Sequence, residues 1–208
     1  MQQRVIFFDF DGVISDSFAA AYAANRALCP HLSEEEYRQR FDGNINQFRA
    51  VASQHGEACR TDVSFWDVYT PLIRQAQAFP GMVEVVRKLA QEHRIVVVTS
   101  SLNHLVQEAA QKFGIAECIT EILGTDVHES KYVKITEALK AHDVSAQSCV
   151  MVTDTYGDIH EAQRASVRSV GVTWGYQDRE ALARGERVVI VDTPAELLVT
   201  LTGGTGSW

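Results

Sequence analysis

The sequence predicts an α/β fold, in which a parallel sheet is covered by helices on both faces and a small helical cap is inserted after the first strand. Short apolar, β-branched runs typical of buried parallel strands occur at residues 5–8, 95–99, 149–153, 167–172 and 188–191. Helical patterns separate most of these runs, at residues 82–92, 102–113, 135–141 and 159–165. Strands that alternate with helices indicate a parallel sheet.

Residues 16–79 break this alternation, because they contain no convincing strand. Helices are expected at residues 18–28, 45–54 and 63–78, and Ser33-Glu34-Glu35-Glu36 forms a capping box. We therefore expect a helical cap domain over residues 16–79 and an α/β core domain formed by residues 1–15 and 80–208. Such an insert would lie over the carboxyl end of the first strand, where a lid belongs. The alternative is a helical extension that packs elsewhere.

Composition excludes some classes of function. The 208 residues carry a formal net charge of −8, whereas nucleic-acid-binding surfaces are basic. An anionic substrate would therefore need a metal ion or local cations. No apolar run reaches membrane-spanning length and no signal-peptide pattern opens the chain. Cys29, Cys59, Cys118 and Cys149 form no CxxC pair, which predicts reduced thiols in a cytoplasmic protein.

Two acids follow the first strand at a spacing that points both side chains to one face. Asp9 and Asp11 are two residues apart, and Gly12 then lets the backbone approach a ligand. Carboxylates at the end of a buried strand are costly unless a cation or chemistry requires them. Ligands bind at that edge of open α/β sheets. The alternative is a pair of solvated acids before a turn.

Further polar residues follow other predicted strands. Thr99-Ser100-Ser101 could hold a phosphate at a helix start, or could simply cap that helix. Asp154 and Asp158 indicate a hard divalent cation, or else acids favoured by a helix dipole. Lys131 and Lys134 lie between these two groups, and either would gain significance only from its neighbours.

Together these residues resemble the haloacid dehalogenase superfamily of phosphotransferases. Asp9-Phe10-Asp11-Gly12-Val13 matches the first motif, Thr99 the second, Lys131 the third, and Asp154 with Asp158 the fourth. The helical insert is similar to the cap of the subgroup that includes phosphoglycolate phosphatases and β-phosphoglucomutases. The resemblance implies a Rossmann-like α/β core.

The chain departs from the family pattern at two motifs. Thr153 stands where glycine usually precedes the first acid of the fourth motif. Ser130-Lys131-Tyr132 stands where the third motif usually reads Gly-Lys-Pro. The second departure leaves open whether Lys131 or Lys134 is the functional lysine, and the apolar positions of the following helix favour Lys131.

The resemblance implies a catalytic role for four residues. Asp9 would be the nucleophile that forms an aspartyl-phosphate, and Asp11 would be the general acid and base. Thr99 would donate a hydrogen bond to the phosphoryl group, which Lys131 would also bind. The implied cofactor is Mg²⁺, and the implied metal-binding residues are Asp9, Asp11, Asp154 and Asp158.

The implied substrate is a small phosphorylated metabolite, with no nucleic-acid or membrane partner and with the chain acting as a monomer or homodimer. Candidate substrate-binding residues are Ser100, Gly43 and Asn44, the last two in a cap loop that could equally be a simple turn. A phosphomutase is the alternative activity. It would need a cap arginine shortly after Gly43; Arg49 arrives late and Arg40 precedes the loop, so a phosphatase is favoured. A binding protein that kept the fold is the third reading.

Overall fold

The computed structural model describes residues 4–46, 60 and 62–203. Within them, six parallel strands form one sheet in the order β3-β2-β1-β4-β5-β6. The strands are β1 (Val5–Phe8), β2 (Arg94–Val98), β3 (Ile119–Leu123), β4 (Cys149–Thr153), β5 (Arg168–Val172) and β6 (Val188–Val191). The predicted α/β class is confirmed.

Nine α-helices are present in this part of the chain. They are α1 (Phe18–Leu28), α2 (Glu34–Gln39), α3 (Phe65–Ile73), α4 (Met82–Leu89), α5 (Asn103–Phe113), α6 (Lys131–Ala141), α7 (Tyr156–Arg164), α8 (Arg179–Leu182) and α9 (Pro194–Thr202). None of these helices has both the length and the apolar character that crossing a bilayer requires.

The central strands are continuous apolar runs because helices cover both faces of the sheet. Ile6 and Phe8 of β1 pack with α4, α5 and α9, whereas Val5 and Phe7 pack with α6 and α7. These alternating side chains are all fully buried. The sheet is therefore held rigidly from both sides, and its carboxyl edge is a stable platform for polar groups.

The insert between β1 and α4 carries α1, α2 and α3 and no strand among its described residues. The capping box at Ser33 is confirmed, whereas most of the helix expected over residues 45–54 lies outside the described residues. The two connections to the core lie side by side, since Asp16 N donates to Gln77 O at 2.8 Å and Phe79 N donates to Ile14 O at 2.9 Å. We call residues 16–79 the cap segment.

The cap segment packs against the loop that follows β5. The rings of Phe18 and Phe41 meet the ring of Tyr176 edge-on, with centroids 5.1 Å and 4.9 Å away. The Tyr176 hydroxyl is hydrogen-bonded to Ser17 Oγ at 2.9 Å. Asp42 accepts a hydrogen bond from Gln177 Nε2 at 2.8 Å. These contacts place the cap segment over the carboxyl edge of the sheet.

Two features differ from the sequence prediction. β3 was not expected, because it is an edge strand in which the polar residues Thr120 and Glu121 interrupt the apolar run. Cys29 is disulfide-bonded, which corrects the expectation that all four thiols are reduced. Cys59 lies outside the described residues. The disulfide was not predicted because the spacing of the cysteines does not show that the chain comes back to the end of α1. In the structure Arg60 N donates to Leu28 O at 2.6 Å.

Candidate active site

A buried lysine joins two of the predicted acids. Lys131 Nζ lies 2.8 Å from Asp9 Oδ2 and 2.7 Å from Asp158 Oδ2, and the lysine side chain is only 4% exposed. The other oxygen of Asp9 accepts a hydrogen bond from Phe10 N at 2.7 Å. The end of β1, the start of α6 and the first turn of α7 therefore bring these three side chains together.

Burial and mutual charge shift the pKa values of this cluster. Burial raises the pKa of Asp9 well above its usual value, against the opposing charge of Lys131. Burial alone would raise the pKa of Asp158, but Lys131 and the hydrogen bonds to that carboxyl lower it below its usual value. Burial would likewise lower the pKa of Lys131, and the two carboxylates outweigh it and raise that pKa. Lys131 is therefore cationic, and one of its partners holds a negative charge.

Asp11 is held from two sides by hydroxyl groups that the sequence did not single out individually. Ser101 Oγ donates to Asp11 Oδ2 at 2.5 Å, and the Tyr69 hydroxyl donates to Oδ1 at 3.3 Å. Ser101 belongs to the polar run after β2, so its neighbourhood was recognisable. Tyr69 lies on α3, and no sequence pattern pointed to this contact.

Asp154 has one satisfied and one unsatisfied oxygen. Tyr176 N donates to Oδ2 at 2.7 Å, whereas Oδ1 is buried and has no hydrogen-bond partner among the described residues. A Cβ atom on Gly12, where φ is +79°, would lie 1.9 Å from Asp154 Oδ2, so only glycine allows the first motif this close. Burial raises the pKa of Asp154 to about 7. An orphaned carboxylate oxygen in this position fits a hard cation.

Asp158, another predicted metal ligand, has one carboxylate oxygen that already accepts hydrogen bonds from two side chains. Its Oδ2 accepts hydrogen bonds from Lys131 Nζ and from Thr153 Oγ1, each at 2.7 Å. The threonine that replaces the usual glycine thus holds the second acid of the fourth motif. Among the described residues, no group of three or more Asp, Glu, His or Cys side chains is arranged so that it could hold a metal ion by itself. Of the predicted metal ligands, Asp154 is the one whose carboxylate keeps a buried oxygen without a hydrogen-bond partner among the described residues.

The two candidate lysines have different surroundings. Lys134 Nζ donates to the carbonyl oxygens of Thr99 at 2.7 Å and Gly124 at 3.3 Å, and it forms no ion pair with a described residue. Burial and the charge of Lys131 lower the pKa of Lys134 to about 8. Of the two lysines, only Lys131 reaches Asp9. Thr99 is fully buried, and its Oγ1 accepts a hydrogen bond from Ser101 N at 3.1 Å. The hydroxyl hydrogen of Thr99 is not used in that bond and can be donated to another acceptor.

The acids line a cleft between the sheet edge and the cap segment. Two of the predicted substrate-binding residues, Ser100 and Gly43, line this cleft. Asn44 does not line it; its amide instead contacts Glu129 O at 3.2 Å and Glu161 at 3.4 Å. Sequence reasoning also assigned no role to Arg40, which lines the cleft and contacts Asn25 Oδ1 at 3.4 Å.

Curated relatives named phosphoglycolate phosphatase match this chain. A phosphoglycolate phosphatase from Vibrio parahaemolyticus is 29% identical in an alignment of 216 positions that covers 94% of each chain. A phosphoglycolate phosphatase from Synechococcus elongatus is 22% identical and covers 96% of this chain and 97% of its own. These relatives match almost the entire length of the chain.

Solved structures share the fold at lower identity. A haloacid dehalogenase-like family hydrolase from Streptococcus pneumoniae superposes with a TM-score of 0.75 at 20% identity, covering 96% of this chain and 99% of its own. CbbY from Rhodobacter sphaeroides, solved in complex with phosphate, gives a TM-score of 0.76 at 20% identity, covering 94% and 96%.

A family model described as haloacid dehalogenase-like hydrolase matches residues 6–172. This match contains β2 through β5, all of β1 except Val5, and all four motifs. The chain therefore belongs to the haloacid dehalogenase-like hydrolase family.

Proposed function

We propose that this chain is a Mg²⁺-dependent phosphatase that hydrolyses a small phosphomonoester through an aspartyl-phosphate on Asp9. The observation that carries the proposal is the Asp9–Lys131 ion pair at 2.8 Å, at the base of a cleft that Asp11 also lines. A carboxylate fixed beside a buried cation suits attack on a phosphoryl group, because that cation also attracts the substrate.

In the first step, a carboxylate oxygen of Asp9 attacks the phosphorus atom and the bond from phosphorus to the leaving oxygen breaks. Asp11 gives its proton to that oxygen, so the leaving group departs as an alcohol rather than as an alkoxide. Ser101 and Tyr69 hold the Asp11 carboxyl during this transfer. Lys131 and the Thr99 hydroxyl stabilise the negative charge on the phosphoryl oxygens.

In the second step, water gives a proton to Asp11 and its oxygen attacks the phosphorus atom of the aspartyl-phosphate. The bond from phosphorus to Asp9 breaks, which releases inorganic phosphate and restores both acids. The cap segment excludes bulk water and positions the leaving group. We propose that residues 16–79 act as a cap domain in this sense.

The metal would be held by the carboxylates of Asp9 and Asp154 and by the Asp11 carbonyl oxygen, with Asp158 nearby. A bound Mg²⁺ would offset the charge of the phosphoryl group and favour ionised Asp9 and Asp154. The orphaned Asp154 oxygen supports this assignment. The net charge of −8 also favours a cation at a site that binds an anionic substrate.

The proposal is tested with para-nitrophenyl phosphate as a general phosphomonoester. The protein should release nitrophenolate in buffer containing Mg²⁺, lose this activity after dialysis against EDTA, and regain it when Mg²⁺ is restored. Circular dichroism on the same samples checks that the fold is unchanged. Well-folded protein without turnover in Mg²⁺ would favour a binding role instead.

We further propose a phosphoglycolate-like substrate. The curated relatives described above carry that name, and Arg40 supports it. Arg40 is half-buried, lines the cleft and forms no ion pair with a described residue. An arginine at the cap side of the cleft that forms no ion pair with a described residue suits a leaving group that carries a carboxylate. Arg49, which a mutase reading would invoke, lies outside the described residues.

Replacing Arg40 by methionine should separate two substrates. We expect KM for phosphoglycolate to rise about 30-fold, because a hydrogen bond to a charged group contributes about 1.5–3 kcal/mol. Hydrolysis of para-nitrophenyl phosphate, which has no second anion, should change less than about twofold. Steady-state kinetics with both esters measure this difference.

The matched control is Arg26→Met, which removes an exposed arginine from the same cap segment and should leave both KM values unchanged. Equal losses on both esters in Arg40→Met would contradict recognition of the leaving group. Isomerisation of a sugar phosphate faster than phosphate release would instead indicate a mutase.

A further inference from the structure

Glu161 on α7 is a buried carboxylate that has no part in the steps described above. It is 6% exposed. Its Oε1 accepts hydrogen bonds from Ser130 Oγ at 2.7 Å and from Tyr132 N at 3.4 Å, and its Oε2 accepts from Lys131 N at 3.3 Å. Glu161 therefore satisfies N–H groups that the start of α6 leaves unpaired, and it places a carboxylate at the positive end of that helix.

The residues that Glu161 contacts are those at which the third motif departs from its family pattern. Where the family usually has proline, the chain has Tyr132, whose N–H needs an acceptor that a proline would not. Where the family usually has glycine, it has Ser130, whose hydroxyl donates to the same carboxylate. The start of α6 in this chain thus depends on Glu161 for its hydrogen bonds.

Glu161 also contacts the cap loop, which we define as residues 41–46. Asn44 Nδ2 donates to Glu161 Oε1 at 3.4 Å. One turn earlier on α7, a Cβ atom on Gly157 would lie 2.3 Å from the Gly43 carbonyl oxygen, so the backbones meet there without an intervening side chain. Asn46 adds a hydrogen bond to Glu129 O at 2.9 Å. The cap loop is therefore seated on α7 and on the loop before α6.

We propose that Glu161 is a positioning residue that couples the seating of the cap loop to the placement of Lys131. Lys131 is the first residue of α6, and its Nζ must reach Asp9. When the cap loop lifts, Glu161 loses Asn44 and becomes open to water, which weakens its hydrogen bonds to the first turn of α6. Lys131 is then less well fixed. The proposal rests on the proposed function, in which Lys131 is catalytic.

A double-mutant cycle between Asn44 and Glu161 tests the coupling. Asn44→Ala alone should lower kcat for para-nitrophenyl phosphate about threefold, and Glu161→Ala alone about tenfold, with KM changing less than about twofold in each. In the Glu161→Ala background, Asn44→Ala should have no further effect, because the link is already broken. If Glu161→Ala does not fold, Glu161→Gln replaces it; this variant keeps one acceptor oxygen and should show a smaller loss, still non-additive with Asn44→Ala.

The control for a purely structural role is Ile135→Val, a fully buried position on the same helix. It should lower Tm and leave kcat per folded molecule unchanged. Two results would overturn the coupling: the same factor for Asn44→Ala in both backgrounds, or wild-type kcat in Glu161→Ala.

Amide hydrogen exchange gives a readout that does not depend on turnover. Exchange at Lys131 and Tyr132 in the substrate-free protein should be several-fold faster in Asn44→Ala than in the wild type. Unchanged exchange would reject the coupling even in an active enzyme. Faster exchange in a protein that hydrolyses no ester would retain the coupling and reject the proposed function.

Discussion

Replacing Asp9 by asparagine should abolish turnover while the protein stays folded. The amide is a poor nucleophile, so no aspartyl-phosphate can form, and the loss should be on the order of 10⁴-fold or more. The fold should survive, because asparagine has nearly the same volume and Lys131 keeps Asp158 as its partner at 2.7 Å. We expect the free energy of unfolding to change by less than about 2 kcal/mol.

Rapid quench into acid during turnover provides the direct measurement. Wild-type protein should carry phosphate on the peptide that contains Asp9, and Asp9→Asn should carry none. The control is Asp16→Asn, the same chemical change at an exposed acid near the start of the cap segment, which should keep the wild-type rate. Covalent catalysis at Asp9 would be refuted by an Asp9→Asn variant with substantial turnover.

The sheet was largely predictable because its central strands are buried on both faces. β1 and β4 have the predicted bounds, since an uninterrupted apolar run begins and ends where a doubly covered strand does. β3 escaped prediction because an edge strand tolerates polar residues such as Glu121. β6 is also an edge strand, but its four residues are all apolar and β-branched, so its bounds were predicted.

The acids were recognisable from sequence, but the groups that hold them were mostly not. Asp9, Asp11 and Asp154 follow buried strands, so topology alone gathers them at one edge. Ser101, Tyr69 and Glu161 act through contacts between elements distant in sequence. The spacing of Tyr69 with Phe65 predicts aromatic packing within the cap, and the two rings are stacked at 5.1 Å. Nothing in that spacing shows that the tyrosine hydroxyl reaches Asp11.

The choice between the two lysines shows most clearly what three-dimensional structure adds. Both are fully or almost fully buried and lie three residues apart on α6, so neither helical position nor burial distinguishes them. Their partners do: Lys131 joins two carboxylates, whereas Lys134 donates to two backbone carbonyls. The first arrangement favours a role in charge stabilisation, and the second favours holding the loops after β2 and β3.

Lys131→Met and Lys134→Met should therefore fail in different ways. Lys131→Met should lower kcat about 10³-fold, because the cation next to the phosphoryl group is lost. It should also destabilise the metal-free protein by about 3–5 kcal/mol at pH 7, since two buried carboxyls lose their shared cation. Lys134→Met should keep kcat within about tenfold of the wild type, because its ammonium contacts no carboxylate.

The pH dependence of stability distinguishes the two variants independently of activity. The pKa of Lys134 falls from 10.5 to about 8 on folding, so between these values the unfolded chain binds more protons than the folded one. The free energy of unfolding of the wild type should then rise with pH relative to Lys134→Met across that window. Urea titrations of both proteins between pH 8 and pH 10.5 measure this difference. If the difference in the free energy of unfolding between the two proteins does not change with pH, Lys134 is not desolvated as the structure indicates. A greater loss of kcat in Lys134→Met than in Lys131→Met would reverse the assignment of the two lysines.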